Sequence, residues 1–521
     1  MVTLDSGPLS AIDIGSNSFR LEIGQLRHGR YRRIDYLKDV VRLGAGLDDA
    51  GRLTESAVQR GLDSLQRFAA RLHGFAPSYV RAVATQTLRE ASNRNAFLAR
   101  AEQVLGYPVE IISGREEARL IYVGVATLQP SPKARLVIDI GGRSTEMILG
   151  QGATPNKTES FAVGSVSLSM RYFGDGRLDA AAFRAAQIAA GAEFEEALAT
   201  FAPPHWQEAM GSSGTVGAVS EVLLAAGITD GGITSQALAW MIERCIAAGH
   251  VDLLQLPGLR ADRRAVLPGG LAILYTLFAH FGIRTLWPAK GALRQGIVID
   301  LRERLDAARR ARGVDLRDAT ARQLQARFAV DTAQAGRVSQ RALDLFDQLA
   351  PSGAVSAAGK KRDPGDAVGA QREQRRELAW ACDLHEVGMS LSHHDHHRHS
   401  AYMLAHVEAP GFSQSQQRRL SDLVLAQRGG LRKIDALLEQ PVFALQALCL
   451  RLAVLICHAR DDSPSTALTL SQPDGASVSL SWPPAGDGLN PRTLHLLGDE
   501  AQAWLRSGRL RLQLPEVPAE S

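Results

Sequence analysis

The sequence predicts a duplicated α/β fold over residues 9–303, an all-helical region after it, and a small β-containing tail. Three observations carry this. "AIDIGSNSFRLEI" at 11–23 and "VIDIGGRSTEMIL" at 137–149 share one pattern: an apolar run, an Asp, a Gly-rich polar turn and a second apolar run. After each, short apolar runs alternate with segments of helical period, the mark of an α/β domain. Beyond Leu305 the strand signals stop and Arg-rich helical periodicity takes over.

Element by element, Leu9 to about Val41 reads as strands broken by "GSNS" and "RHGR". "TESAVQRGLDSLQRFAARLHGF" puts Val58, Leu62, Leu65, Phe68 and Leu72 on one helical face. "YVRAVAT" reads as a strand, "RNAFLARAEQVLG" as a helix, "YPVEIIS" as a strand and "EEARLIYVGVATL" as a helix. The pattern restarts at "RLVIDIGGRSTEMILG"; "HWQEAMGSSGTVGAVSEVLLAAG" then gives strand, glycine turn and helix. "VLPGGLAILYTLFAHFGIRTLWPAKGALRQGIVIDLRERL" gives helix, strand, glycine turn and helix. Residues 351–371 are rich in Pro, Gly and small residues and read as a mobile loop, with helices resuming at about Arg372. Two alternating runs around "PDG", and "RLRLQLPE" later, predict a small sheet with a β-hairpin. The expected domains are 1–130, 131–305, 306–464 and 465–521.

At 521 residues the chain exceeds one ordinary core. Its 59 Lys and Arg against 55 Asp and Glu leave a net charge of +4, too mild to coat nucleic acid, though local basic clusters can meet a polyanion. No specific nucleic-acid partner is expected. The four cysteines, at 245, 382, 449 and 457, form no CxxC, and the last two lie in "LQALCLRLAVLICHAR". Buried free thiols in a reducing compartment follow. The first residues lack a basic-then-apolar signal, and no uninterrupted apolar run approaches the roughly 20 residues of a membrane span. The expectation is a cytoplasmic protein without a transmembrane segment, peripheral attachment at the inner membrane face being left open.

Each hairpin's first strand ends near an Asp, Asp13 or Asp139, followed by a glycine turn with Ser or Thr. Glycine permits close backbone approach, so successive N–H groups can converge on one anion, and the hydroxyls add donors. The Asp can hold a divalent cation or its waters. Two such loops, each opening an α/β half, point to a phosphate site. "GSSGTVGAVSEV" at 211–222 sets a third glycine loop at a helix start, where unpaired N–H groups favour an anion. "AKGALRQG" at 289–296 is a fourth; both also read as plain turns. In "IISGREEARLIY", Ser113 and Glu116 form an S-x-x-E cap pattern. Glu117 is not needed for the cap, and either faces the cleft or complements the helix dipole.

Together "AIDIGSNSFRL", "ATQTLREA", "IISGREEARLIYVGV", "VIDIGGRSTE", "GSSGTV" and "KGALRQG" resemble the exopolyphosphatase and guanosine pentaphosphate phosphohydrolase family. "LHEVGMSLSHH", "HHRHSAYML" and "PGFSQSQQ" extend the resemblance over essentially the whole chain, as in the long, enterobacterial-type members. It implies the actin-like fold of the acetate kinase, sugar kinase, heat-shock 70 and actin superfamily for the N-terminal half. For the C-terminal half it implies a degenerate His/Asp-type helical domain. It further implies a homodimer performing Mg²⁺-dependent, processive hydrolysis of the terminal phosphoanhydride of inorganic polyphosphate. Glu117 falls on the family's catalytic Glu, which activates water. Asp139 and Glu146 fall on acidic positions that bind Mg²⁺, with Asp13 a further metal candidate. Gly15, Ser16, Asn17 and Ser18, then Gly141, Gly142, Ser144 and Thr145, would hold phosphates, joined by Ser213, Gly214 and Thr215. Arg89 of "TLREA" binds a phosphate or is a solvated helix-start Arg. Arg143 departs from the family, where Gly or Ala is common; its side chain either points to solvent or adds a cation near the phosphate path.

The cluster at 393–399 holds five His and an Asp. These residues are expected on an exposed loop, where with the arginines of 301–327 and "KKR" at 360–362 they would guide a long polyanion. That leans the substrate toward polyphosphate, hence exopolyphosphatase, with guanosine pentaphosphate phosphohydrolase as the alternative. An actin-like ATPase or kinase, and a non-catalytic polyphosphate sensor, stand further off.

Overall fold

The computed structural model describes residues 7–27, 30–309, 315–349, 364–460, 468–472, 477–482 and 490–515. The chain divides into two units, Met1–Asp306 and Ala307–Ser521.

The first unit holds two five-stranded sheets of one topology. The first consists of β1 (Leu9–Ile14), β2 (Phe19–Arg27), β3 (Arg30–Asp39), β4 (Val80–Ala84) and β5 (Val109–Ile111). The second consists of β6 (Ala134–Ile140), β7 (Thr145–Gln151), β8 (Thr154–Phe161), β9 (Glu208–Gly211) and β10 (Leu286–Pro288). Their orders, β3-β2-β1-β4-β5 and β8-β7-β6-β9-β10, are the same. In each, the first three strands are antiparallel and the next pairs parallel to the first. The copy extends to a register shift at a glycine, Ile23/Gly24 in one sheet and Leu149/Gly150 in the other. This is the duplicated actin-like arrangement.

Both central strands are buried on two faces, which explains their nearly unbroken apolar runs. Ile12 and Ile14 face a core with Phe19, Leu65, Phe68 and Phe97, beneath the helices Glu55–Arg71 and Arg94–Leu105. Leu9 and Ala11 face the other way, into a layer shared with Val137 and Ile148 of the second sheet. The helices Gly114–Leu128 and Leu293–Arg309 fill that layer through Leu120, Ile121, Val125, Ile297 and Val298. Val58, Leu62, Leu65, Phe68 and Leu72 are all buried, as their spacing predicts. The middle helices touch backbone to backbone: a Cβ on Gly296 would collide with the Leu120 carbonyl, and one on Gly124 with the Ala292 carbonyl. That close approach is what the small residues of "AKGALRQG" serve.

The stretch Ala261–Phe281 is long and apolar enough to cross a membrane by length and composition, but 67% of its window is buried. Leu271, Leu274, Leu277 and Phe281 pack in the second sheet's outer core.

In the second unit, helices Leu316–Arg327, Thr332–Leu349, Pro364–Leu384, His396–His406, Gln414–Ala426 and Pro441–Ile456 enclose one core. Trp380 meets Phe412 edge to face at 5.0 Å within it. The expected loop 351–371 is shorter at its far end: Pro364 opens the helix Pro364–Leu384, a proline at the helix start where its missing N–H costs nothing. Residues 351–363, including "KKR", lie outside the described residues. The tail forms a three-stranded sheet, β11 (Thr469–Ser471), β12 (Ser477–Ser481) and β13 (Arg511–Gln513), order β11-β12-β13. β11 and β12 are antiparallel, and the "PDG" between them lies outside the described residues. Cys245, Cys382 and Cys449 are buried free thiols; Cys457 is half-buried.

Candidate active site

The two glycine turns face each other across a cavity of about 390 Å³ in the first unit. Gly15, Ser16, Asn17 and Ser18 line it from the β1–β2 turn, and Gly141, Gly142 and Ser144 from the β6–β7 turn. The first turn is pinned by Gly44 N donating to the Ser16 carbonyl at 2.8 Å. The second is pinned by Ser165 and Val166 N–H groups on the Gly141 and Gly142 carbonyls at 2.9 and 2.8 Å. Ser213, Gly214 and Thr215 join from the start of the helix Gly214–Ala225. There Ser213 Oγ caps Thr215 N and Val216 N, and Thr215 Oγ1 donates to the Ile140 carbonyl at 3.3 Å.

Glu117 also lines the cavity, with Asp13 and Asp139. It sits in the first turn of the helix Gly114–Leu128, whose N-cap Ser113 accepts from Glu116 N at 3.2 Å. Glu116 carries more than a cap: its carboxylate forks onto Arg119 at 2.7 and 2.8 Å. Burial pushes the Glu117 carboxyl up to about 7, with Arg89 opposing and the charges of Asp13 and Asp139 adding to the rise. Asp139 is raised by burial too, against the hydroxyl of Ser212 that donates to it. Asp13 pairs with Arg20 at 3.5 Å and Arg294 at 3.8 Å.

Three of the expected residues stand off the cavity. Glu146 is buried one layer back, accepting from Ser160 Oγ at 2.8 Å; burial first, then the charges of Glu117 and Asp139, raise its carboxyl well above the ordinary value. Thr145 donates its hydroxyl to the Val163 carbonyl at 2.6 Å, so it serves the fold beside the loop. Arg89 is not solvated: it holds Glu117 Oε2 at 3.0 Å and the Ile112 carbonyl at 2.9 Å. Arg143 does not point to solvent either. Its guanidinium forks onto Glu90 of the first half, at 2.9 Å from Nε and 2.7 Å from Nη2.

The sequence reading missed a basic rim. Arg20, Lys38, Arg260, Arg263, Lys290 and Arg294 line the same cavity. Burial and then the neighbouring Arg263 charge lower Lys38, and burial and then Arg20 lower Arg263. A crowd of cations that depress one another is a site that gains from a polyanion. Arg20 was readable: it pairs in register with Asp13 across the hairpin, so it emerges beside it. Arg260 and Arg263 arrive from a distant loop, where "LRADRR" shows only a basic cluster.

The expected exposed histidine loop is different in the structure. His396 and His397 open the helix His396–His406 and are buried, while His393 and His394 are exposed. Among the described residues no three His, Cys, Asp or Glu side chains form a metal-ligand cluster. The hard oxygens of Asp13, Asp139 and Glu146 are nevertheless the donors a Mg²⁺ ion takes, since that ion binds by one or two carboxylates together with substrate phosphates. Burial first raises both Asp139 and Glu146, and a cation beside them would favour their charged forms.

Crowded carboxylates set against cations and glycine loops suit water attack on a phosphoanhydride, and the family match gives the class, a hydrolase of phosphoanhydrides. The chain belongs to the Ppx/GppA phosphatase family, which it matches over residues 23–305, with that family's domain III over 316–492. It is 36% identical over 486 residues to the guanosine-5'-triphosphate,3'-diphosphate pyrophosphatase of Aeromonas hydrophila, covering 92% of this chain and 93% of that one. Among solved structures, an exopolyphosphatase from Cytophaga hutchinsonii superposes with a TM-score of 0.51 at 23% identity, over 57% of this chain and 97% of that one. The Aquifex aeolicus family member gives 0.48 at 24% identity, over 57% and 98%.

Proposed function

We propose that the chain hydrolyses the terminal phosphoanhydride of guanosine pentaphosphate, releasing orthophosphate and the tetraphosphate, with Mg²⁺ as cofactor. The single observation behind the chemistry is Glu117, a buried carboxyl poised at about 7 between two facing phosphate loops. A base so tuned accepts a proton from water near neutral pH. The water oxygen bonds to the terminal phosphorus, the bridging P–O bond breaks, and the water proton passes to Glu117. Asp139 and Glu146, with Asp13, would hold the metal, which supplies charge compensation for the transferring phosphoryl group. The turns at Gly15–Ser18 and Gly141–Ser144, with Ser213, Gly214 and Thr215, would bind phosphate oxygens, and the basic rim would take further phosphates. Arg89 would act on Glu117 and not on a phosphate.

The choice of guanosine pentaphosphate over polyphosphate follows the Aeromonas relative, similar across almost the whole of both chains. The features that leaned toward long polyphosphate also weaken. Arg302, Arg304 and Arg317 are paired with Asp306, Asp300 and Asp315, and His396 and His397 are buried. Processive polyphosphate hydrolysis is the second reading, supported by the basic rim, which accommodates several phosphates of either substrate. Comparing kcat/KM for guanosine pentaphosphate and long-chain polyphosphate on one preparation, with and without Mg²⁺, decides. A preference for polyphosphate would reverse the order. A homodimer in the cytoplasm completes the proposal on the resemblance, and sedimentation equilibrium tests the dimer.

A further inference from the structure

We infer that Arg143 is a positioning residue, which sets the Glu117 carboxylate through a relay of Glu90, Gln86 and Arg89; the inference rests on the hydrolase reading above. The relay is continuous. Arg143 donates to Glu90 Oε2 from Nε at 2.9 Å. Gln86 Nε2 donates to Glu90 Oε1 at 2.6 Å. Gln86 Oε1 accepts from Arg89 Nε and Nη2 at 2.9 and 2.6 Å, and Arg89 Nη1 reaches Glu117 Oε2 at 3.0 Å.

The direction of the bonds explains why the far end matters. A glutamine amide has one donor end and one acceptor end. Gln86 can hold the Arg89 fork only with its oxygen turned to Arg89 and its NH₂ turned away. Glu90, an acceptor only, fixes that sense, and Arg143 holds Glu90 by its other oxygen. With Glu90 loose, the Gln86 NH₂ loses the acceptor that anchors it, the amide is held at one end only, and its fork with Arg89 loosens.

Arg143 is placed by the second turn yet works on the first half. Its Nη1 donates to the Gly44 carbonyl at 3.4 Å. A Cβ on Gly44 would stand 2.8 Å from Arg143 Cδ, so the arginine stem lies across that glycine. A Cβ on Gly164 would run into the Arg143 and Gly142 backbone, so the turn is backed closely from behind. Arg143 is outside the cavity lining and its fork is taken by Glu90, which distinguishes it from a phosphate ligand. Seating the second turn against the first half thereby adds to the hold that Arg89 already has through the Ile112 carbonyl.

The test uses the full chain with guanosine pentaphosphate and Mg²⁺, comparing Arg143→Ala, Glu90→Gln and the double variant. We expect each single change to lower kcat on the order of ten- to a hundred-fold, with KM within about three-fold, because misplacing a reacting group acts on turnover. The double variant falls no further than either single one. Amide exchange over residues 85–91 quickens in both single variants while the melting temperature holds. Loss in Arg143→Ala with Glu90→Gln at wild-type kcat would identify a phosphate cation and overturn the relay; multiplying losses, or exchange unchanged at 85–91, would overturn it as well. A wild-type chain that releases no phosphate from any phosphoanhydride defeats the hydrolase reading instead, and the exchange measurement then decides the relay by itself.

Discussion

Arg119, on the helix that carries Glu117, donates to Asp300 across 181 residues of sequence, and both side chains are buried. Asp300 also accepts from Arg81 of β4 and from Arg304, each at 2.7 Å. Burial by itself would raise the Asp300 carboxyl; Arg304, Arg119 and Arg81 outweigh it and hold it far below the usual range. One carboxylate thus fastens the helix Gly114–Leu128, the helix Leu293–Arg309 and a strand of the first sheet. Removing its charge takes a shared carboxylate from the buried Arg81 and Arg119 and from the half-buried Arg304, leaving Arg119 with Glu116 and Arg81 with Glu110. Asp300→Asn should destabilise the chain by about 3–5 kcal/mol, the cost of breaking a buried pair from one side. A thermal melt lowered by several degrees checks this, and an unchanged midpoint would mean that water reaches the cluster.

Glu117→Gln keeps the shape and the bond to Arg89 but removes the base. Turnover should fall by about 10²–10⁴-fold with KM little changed. Phosphate release measured beside a circular-dichroism melt separates lost chemistry from lost fold. Residual turnover near wild type would transfer the role to another group.

Chelation should abolish phosphate release, and Mg²⁺ should restore it. Asp139→Asn should raise the Mg²⁺ concentration for half-maximal rate by about ten-fold or more, as expected when a ligand or its immediate support is altered. A titration of rate against Mg²⁺ for both proteins reads this directly. Equal requirements would remove Asp139 from the metal site.

His397 ties stability to acid. Burial first, then the Lys433 charge, depress its imidazole from 6.5 to about 4. Its Nδ1 is buried without a hydrogen-bond partner among the described residues. The folded chain keeps this ring neutral where the unfolded chain protonates it, so the sign is fixed. Its contribution is whole above about pH 6.5 and is lost as pH falls toward 4. His397→Leu should flatten the decline of melting temperature across that window; parallel curves for the two proteins would show that another group governs it.

Much of the fold was legible because its signals are local. The apolar runs of β1 and β6, the face of Val58, Leu62, Leu65, Phe68 and Leu72, and the cap at Ser113 each lie within one element. The carboxylates and glycines of the site were legible for a related reason, since Asp13 and Asp139 begin the very turns they serve. What the sequence concealed depends on separation. Nothing near Arg143 indicates Glu90, 53 residues earlier, and nothing near Arg119 indicates Asp300. Thr145 looked like a phosphate donor because its neighbours line the cavity, yet the β8 side of the loop supplies a carbonyl for its hydroxyl. The histidine run misled by composition: His393 and His394 precede the helix and stay exposed, whereas His396 and His397 fall in its first turn on the side that is buried.

The matched hairpins carry opposite charges at the residue that faces each Asp across the strands. Asp13 stands opposite Arg20 in the first sheet, and Asp139 stands opposite Glu146 in the second. Around Arg20 gather Arg263 and Lys38; around Glu146 gather Glu117 and Asp139. Two identical jaws would make a cleft whose two sides carry the same charge. This cleft has a head and a tail: one side welcomes bare anionic charge, the other accepts it only in company with a cation. The residue facing each Asp thus gives the two sides of the cleft opposite charge.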